Sequence, residues 1–331
     1  MQACYIETYG GPEVVRVGVL PAPTPGPGEL VFRMQAASVN PVDFKTRKGM
    51  LRVMQSYPMP AILGNDAAGV VTSLGPGVRG FAIGDRVAAR LDKARMGGFA
   101  EFVLARPEHL AKIPEGVGFA EAAAVALAGL TAWQCLTEVL RVRAGERVLI
   151  HAGAGGVGHL AIQLARGVGA HVTTTASAAN HDWLGTLGAD ECVDYRQTDF
   201  TRASAPFDAV LDTLGGATLL RSIAHTRRGG RVVSVGDLPT PEIAGEFGKP
   251  WLRPVFWLIS RKPRAAARAA DVAYRYWFMR ADGAQLTLLL DKMARGELEV
   301  RIAQEFALAQ APEALRVSES GRVHGKLVIR A

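Results

Sequence analysis

Arg147-Val148-Leu149-Ile150-His151-Ala152-Gly153-Ala154-Gly155-Gly156-Val157-Gly158 is the stretch whose reading decides the fold. Its first five residues form a β-branched and aliphatic run that reads as a buried strand, and it passes directly into glycines. From His159 to Val168 the apolar residues Leu160, Ile162, Leu164, Ala165 and Val168 recur at helical spacing with no internal proline, and Gly169 is a natural stop. Gly153, Gly155 and Gly158 therefore satisfy G-x-G-x-x-G between a strand and a helix, the context that gives this pattern its meaning as a dinucleotide-binding fingerprint. One glycine serves the tight turn, one removes the Cβ that would block a pyrophosphate, and one lets helix and strand pack closely. The helix N-terminus offers free N–H groups to the phosphates. The competing reading, a glycine-rich turn that binds nothing, leaves the strand, the spacing and the helix together unexplained.

Working outward, 331 residues with 49% hydrophobic content suffice for two domains, each with its own core. A net charge of +7 and a pI near 9.5 raise nucleic-acid or membrane partners, but the basic residues are scattered except between Arg261 and Arg268. A phosphate-rich cofactor accounts for part of the charge, and no nucleic-acid partner is expected. Cys4, Cys135 and Cys192 are far apart and form no C-x-x-C, which points to a reducing, cytoplasmic setting. No signal pattern opens the chain, and its apolar runs read as far short of a membrane span.

Up to Gly118 the chain is a series of short strands at close turn spacing, a compact barrel-like domain. Within it, Pro41 breaks an extended run, and a short helix or turn there should carry Asn40, Asp43 and Lys45 inward. Phe119 changes the character. Ala120 to Leu140 reads as two helices parted at Gly129, and from the glycine loop onward strands alternate with helices in the βαβ rhythm of a doubly wound parallel sheet. A last strand is expected at Ala273–Met279, a helix at Ala284–Arg295 and a closing strand at Lys326–Ile329. The domains are expected at 1–120 with 282–331, β-rich, and at 121–281. The aromatic and basic segment 251–268 reads as an amphipathic helix with a solvated charged face, in which Pro254 and Pro263 limit any continuous helix; contact with a membrane surface or cover for an apolar substrate are the alternatives.

The cofactor can be read from the end of the second strand. An NAD site places Asp or Glu there to hold the ribose diol, whereas this chain has Thr174-Thr175-Ala176-Ser177. With no acid to repel a 2′-phosphate, and with Ser177 and Asn180 as donors, NADPH is favoured. Ser177 also suits a helix N-cap, a role compatible with phosphate binding.

The order of parts, with N-P-V-D at 40–43, G-x-D-x-A-G at 64–69, G-D-R-V at 84–87, A-G-A-G-G-V-G at 152–158 and G-K-L-V-I at 325–329, resembles the zinc-independent medium-chain dehydrogenase/reductases, in their quinone oxidoreductase and enone reductase branch. The resemblance covers nearly the whole chain and implies a Rossmann sheet inserted in a GroES-like barrel. Zinc-dependent members of that family carry Cys and His where this chain has Asn40 and Asn65, and Asn is a poor zinc ligand. Their four-cysteine loop has no counterpart between Arg86 and Gly97. By resemblance, Tyr195 touches the 2′-phosphate, with Arg196 beside it as a charge. Thr131, Gly215, Val235 and Gly236 match cofactor-lining positions, alongside Ala154, Gly156 and Val157 of the loop itself. Without a metal, a donor must meet the charge developing on the substrate oxygen. Lys45 and Asn40 are the candidates, with Asp43 between them; the plain alternatives are a solvated surface charge for Lys45 and a turn cap for Asp43. The implied activity is NADPH-dependent reduction of a quinone or an α,β-unsaturated carbonyl, with a homodimer as the expected assembly. The rival is a non-catalytic nucleotide-binding or RNA-binding protein of the same fold, which the positive charge would suit.

Overall fold

In the computed structural model, which describes residues 1–331 apart from the side chain of Ala203, the chain passes through one unit (1–130), builds a second (131–279) and returns to complete the first (280–331). The first unit opens with β1 (Gln2–Ile6), β2 (Val15–Val19), β3 (Leu30–Val39), helix α1 (Pro41–Arg47), β4 (Ala61–Ile62), β5 (Asp66–Leu74), β6 (Arg86–Arg90), β7 (Phe102–Ala105) and β8 (Leu110–Lys112). Strand β3 is its hub. It pairs with β5 along nearly its whole length and, on its other edge, with β7 at Leu30–Arg33. Pro41 stops β3 by removing an N–H, and its fixed φ suits the first turn of α1.

Helix α2 (Phe119–Gln134) follows, and here the structure departs from expectation in two respects. It is one helix, not two, and runs through Gly129. A Cβ at Gly129 would lie 2.8 Å from Val125 Cγ2 and 3.0 Å from Leu289 Cδ1, so the glycine serves close packing and breaks nothing. The segment Phe119–Val139 is also long and apolar enough to cross a membrane by length and composition, contrary to the sequence reading; 78% of its most apolar window is buried within the protein. Its many alanines make it moderately apolar all round, the pattern of a core helix. The boundary between units falls inside α2, after Leu130.

In the second unit come β9 (Arg147–Ile150), α3 (Gly158–Gly167), β10 (His171–Ala176), α4 (His181–Thr186), β11 (Glu191–Asp194), α5 (Phe200–Ala203), β12 (Phe207–Asp212), α6 (Gly216–Ala224), β13 (Thr226–Ser234), α7 (Ile243–Glu246), α8 (Arg253–Ile259), α9 (Arg261–Ala270) and β14 (Ala273–Tyr276). The sheet order is β11-β10-β9-β12-β13-β14, all parallel, which puts the unit's first strand in sequence, β9, at the centre. That is the doubly wound order, with its switch of winding beside β9. Val148, Leu149 and Ile150 are 0% exposed because both faces of a central parallel strand are covered, which explains an apolar run without alternation. Segment 251–270 forms two helices, α8 and α9, instead of one. Pro254 and Pro263 sit in their first turns, where a missing N–H costs no helical bond.

Back in the first unit, α10 (Gly283–Ala294), β15 (Ile302–Ala307), α11 (Ala311–Glu319) and β16 (Lys326–Arg330) complete the barrel. Its larger sheet has the order β15-β16-β3-β5-β6-β8. Phe32, Met34, Leu63, Phe99 and Ile329 fill its core at 0% exposure, each contributing about 1.5–3 kcal/mol of burial.

Candidate active site

The loop Ala152–Gly158 leaves the C-terminal end of β9, and β10 holds it in place. Thr175 Oγ1 accepts from the Ala152 N–H at 3.1 Å, Thr175 O accepts from the Gly153 N–H at 3.0 Å, and His159 Nδ1 sits 2.8 Å from the Gly155 carbonyl. The glycines act through space more than through dihedral freedom, because the left-handed residue of the loop is Ala152, at φ 51°. A Cβ at Gly153 would come within 2.2 Å of Thr174 Oγ1, and one at Gly158 within 2.3 Å of the Ala152 carbonyl. Gly155 differs. A Cβ there would meet only the Ala152 oxygen, at 3.1 Å, so the loop presents an open backbone face. The N–H groups of Gly156 and Val157 have no acceptor among the described residues. With Ala154 they form a turn at the head of the ten-residue α3, where the helix dipole favours an anion.

The other cofactor candidates fall mostly on the same C-terminal edge of the sheet. Ser177 follows β10 at the N-cap position of a short 3₁₀ turn but makes no capping bond; its Oγ accepts from Asn180 Nδ2 at 2.9 Å, and both residues are buried. Its own hydroxyl hydrogen stays available. Tyr195 and Arg196 follow β11, with the guanidinium 5.7 Å from the Tyr195 ring centre. They line a cavity of about 220 Å³ together with Thr175, Asp199, Phe200 and Arg221. Arg221 is paired with Asp199 at 3.1 Å, while Arg196 has no carboxylate partner among the described residues. Gly215 follows β12, and Val235 and Gly236 follow β13. A Cβ at Gly236 would lie 2.4 Å from the Thr213 oxygen, so the two chain segments pass backbone against backbone. Asp212, which sequence reasoning did not single out, ties them: its carboxylate accepts from Gly215 N–H at 3.0 Å and from Ser234 Oγ at 2.6 Å. Thr131 lies apart from these loops in the chain, buried in α2. His151 is a core residue, with Nδ1 3.1 Å from Thr175 Oγ1 and Nε2 2.8 Å from Ser222 Oγ; burial pushes its pKa down to about 4, so the ring is neutral.

In the first unit, strand register assembles a cluster out of residues distant in sequence. Ser38 of β3 lies opposite Asp66 of β5, and Asp66 lies opposite Arg90 of β6. On the other edge of β3, Val39 lies opposite Leu327 of β16, which brings Lys326 to Asn40. Asp43, Asp66, Arg90 and Lys326 are at most 3% exposed, two carboxylates against two cations. Asn40 is at the centre. Its Oδ1 accepts from Lys326 Nζ at 2.5 Å, and its amide donates to Asp66 Oδ2 at 2.8 Å and to the Ser38 carbonyl at 3.2 Å. Asp43 accepts from the Asn40 N–H at 2.7 Å and from Asn65 Nδ2 at 2.6 Å. Burial pushes the Asp43 carboxyl up to about 7 against those two hydrogen bonds, and it raises Asp66 and lowers Lys326.

This geometry bears on two of the expected roles. Both amide hydrogens of Asn40 are committed inside the cluster, so it has none for a substrate oxygen. Asp43, at 0% exposure, accepts from the Asn40 N–H at the start of α1. Lys45 is different: half-buried on α1, it has no acceptor or ion-pair partner among the described residues, and burial holds its ammonium below the usual lysine range. Ser38, Asp66, Arg90 and Lys326 were not among the expected site residues, although Asp66 and Lys326 stand in the motifs at 64–69 and 325–329. Asp66 and Lys326 are charges at the heads of strands, followed directly by the apolar runs Ala67–Val71 and Leu327–Ile329. Asn40 and Asn65, at the ligand positions of zinc relatives, spend their side chains on Lys326, Asp66, Ser38 and Asp43. Among the described residues no three His, Cys, Asp or Glu side chains gather as a metal site.

Residues 26–115 match the family model "Alcohol dehydrogenase GroES-like domain", and residues 187–329 match "Zinc-binding dehydrogenase". A chloroplast envelope quinone oxidoreductase homolog of Arabidopsis thaliana is 32% identical over 99% of this chain and 98% of its own length. A mitochondrial NAD(P)H oxidoreductase of Bos taurus is 30% identical over 99% of this chain and 89% of its own. The solved structure of the quinone oxidoreductase from Coxiella burnetii superposes with a TM-score of 0.89 at 34% identity, covering 100% of this chain and 99% of that one.

Proposed function

The chain belongs to the medium-chain dehydrogenase/reductase family of oxidoreductases, and from that premise we propose that it is an NADPH-dependent, zinc-independent reductase of quinones or α,β-unsaturated carbonyls. The observation that carries the reading is Lys45, a half-buried ammonium on α1 with no acceptor or ion-pair partner among the described residues. The bound cofactor would supply a hydride to the β-carbon of an enone or to a quinone ring. What the chain supplies is the partner for the negative charge that then develops on the substrate oxygen. An ammonium aimed at that oxygen stabilises the transition state more than the ground state, and so raises the chemical rate. Desolvation sharpens the effect, because a half-buried charge acts through a lower dielectric than a solvated one.

Cofactor choice rests on the fit of this chain's residues. The unaccepted N–H groups of Gly156 and Val157 suit a pyrophosphate, and the open face at Gly155 admits its approach. The Ser177 hydroxyl and the unpaired Arg196 suit a 2′-phosphate, where an NAD site would carry an acid. The Asn40 and Asn65 amides, poor zinc ligands already spent on protein partners, favour chemistry without that metal. The cofactor half of the proposal is tested by equilibrium binding of NADPH and NADH, followed by cofactor fluorescence. NADPH should bind more tightly, and Ser177→Asp should reverse the preference by repelling the 2′-phosphate while offering the ribose diol a partner. Equal affinity of the wild type for both cofactors would refute that half.

A further inference from the structure

Helices α8 and α9, with the short turn before them, carry three stripes at helical spacing, and only the first is buried along its whole length. Leu252, Phe256, Ser260, Pro263 and Ala267, recurring every three or four residues, are buried. A second stripe, Trp251, Val255, Leu258 and Ile259, is apolar and faces solvent, at 66%, 51%, 54% and 38% exposure. On the third lie Arg253, Trp257, Arg261, Arg264 and Arg268, with the Arg264 guanidinium 5.6 Å from the ring centre of Trp257. From Lys249 to Ala270 there are six basic residues and no Asp or Glu. Arg253, Arg261, Lys262 and Arg268 make no ion pair among the described residues.

We infer that this face docks on an anionic lipid bilayer. An exposed aromatic and aliphatic stripe bordered by cations is the chemistry of a helix lying in the plane of a membrane interface: the rings and aliphatic side chains enter the headgroup boundary while the basic stripe meets lipid phosphates. A second copy of the chain is a poor occupant. A two-fold interface would set the same stripe against itself and bring Arg253, Arg261, Lys262 and Arg268 against their own copies. The inference is independent of the reaction the protein performs.

Cosedimentation of the full-length protein with vesicles tests it, using phosphatidylcholine alone and phosphatidylcholine mixed with phosphatidylglycerol. The wild type should sediment with the anionic vesicles, be released by added salt, and show a blue shift of tryptophan emission as Trp251 and Trp257 leave water. Arg261→Gln and Lys262→Gln should each weaken partitioning by about fivefold, the worth of one basic side chain at a charged surface. Leu258→Ser should weaken it by at least as much. All three sites are exposed, so unchanged thermal unfolding should accompany these losses. The inference is overturned if the protein ignores anionic vesicles, if it binds neutral ones equally, or if the variants bind as the wild type does. It is likewise overturned if Leu258→Ser instead abolishes a self-association seen by light scattering, which would assign the face to a second copy.

Discussion

Replacing Lys326 with methionine removes one cation from a buried cluster of two carboxylates and two cations while keeping most of the side-chain volume. In the wild type, Lys326 Nζ donates to Asn40 Oδ1 at 2.5 Å and to the Val39 carbonyl at 3.2 Å, and its charge offsets Asp43 and Asp66. Lys326→Met leaves two buried acceptors without a donor and two carboxylates facing Arg90 alone. Breaking a buried ionic arrangement by deleting one partner costs about 3–5 kcal/mol, and that is the expected loss of stability at neutral pH. The sign of the pH dependence follows from burial. A carboxyl whose folded pKa is raised, as Asp43 is to about 7, stabilises the fold when protonated and loses that contribution as pH rises through the folded value. Without Lys326 that value rises further. The variant should therefore recover up to about 1–2 kcal/mol between pH 8 and 6, on the scale of 1.36 kcal/mol per pKa unit. Urea unfolding by circular dichroism measures the loss, and tryptophan fluorescence locates it: Trp133, Trp183, Trp251, Trp257 and Trp277 all lie in the second unit, so the first unit should melt earlier by circular dichroism than by fluorescence. Adding Asp66→Asn restores charge balance and should return part of the loss, giving a coupling of about 2 kcal/mol. A loss under about 1 kcal/mol, independent of pH and additive with Asp66→Asn, would refute the reading of the cluster as a balanced ionic core.

Lys45→Met should lower the single-turnover rate of hydride transfer by about tenfold or more while NADPH affinity stays unchanged; a well-formed oxyanion donor is worth about 3–4 kcal/mol, and a half-buried lysine less. Hydride transfer at the wild-type rate would make Lys45 a surface charge. His151, neutral in the fold with a pKa near 4 against 6.5 when free, should cost the wild type about 3 kcal/mol of stability as pH falls from 6.5 to 4, because only the unfolded chain takes up the proton there. His151→Gln should flatten that segment of the stability profile, and an unchanged slope would disprove the assignment. Elemental analysis of the purified, active protein should find no stoichiometric zinc; one zinc per chain with activity lost on chelation would contradict the metal-free proposal.

The glycine loop was legible because strand, loop and helix are contiguous, so local pattern and local geometry coincide. Even there the detail differs. The left-handed position is Ala152, and Gly153 is required because Thr174 Oγ1 would meet any Cβ. The cluster around Asn40 was only half legible. Positions 38, 66, 90 and 326 meet through register across β3, β5, β6 and β16, which no local window contains. That register is what commits the Asn40 amide. Gly129 misled for a related reason: a glycine marks a break only where its neighbours do not use it, and here packing against Leu289 uses it, whereas Pro254 and Pro263 do sit at the starts of two separate helices. Strand β15 and helix α11 passed unremarked because their exposed faces dilute the apolar pattern: in β15 only Phe306 is buried.

The most direct test of the central claim is the decay of the reduced-nicotinamide absorbance when the purified protein is given NADPH or NADH with a panel of simple quinones and α,β-unsaturated ketones. The account predicts saturable, enzyme-dependent consumption of NADPH with at least one acceptor of these classes, slower consumption of NADH, and insensitivity to zinc chelators. Failure to oxidise NADPH with any acceptor, together with salt-sensitive binding to RNA, would contradict it and return the chain to a nucleotide-binding role without turnover.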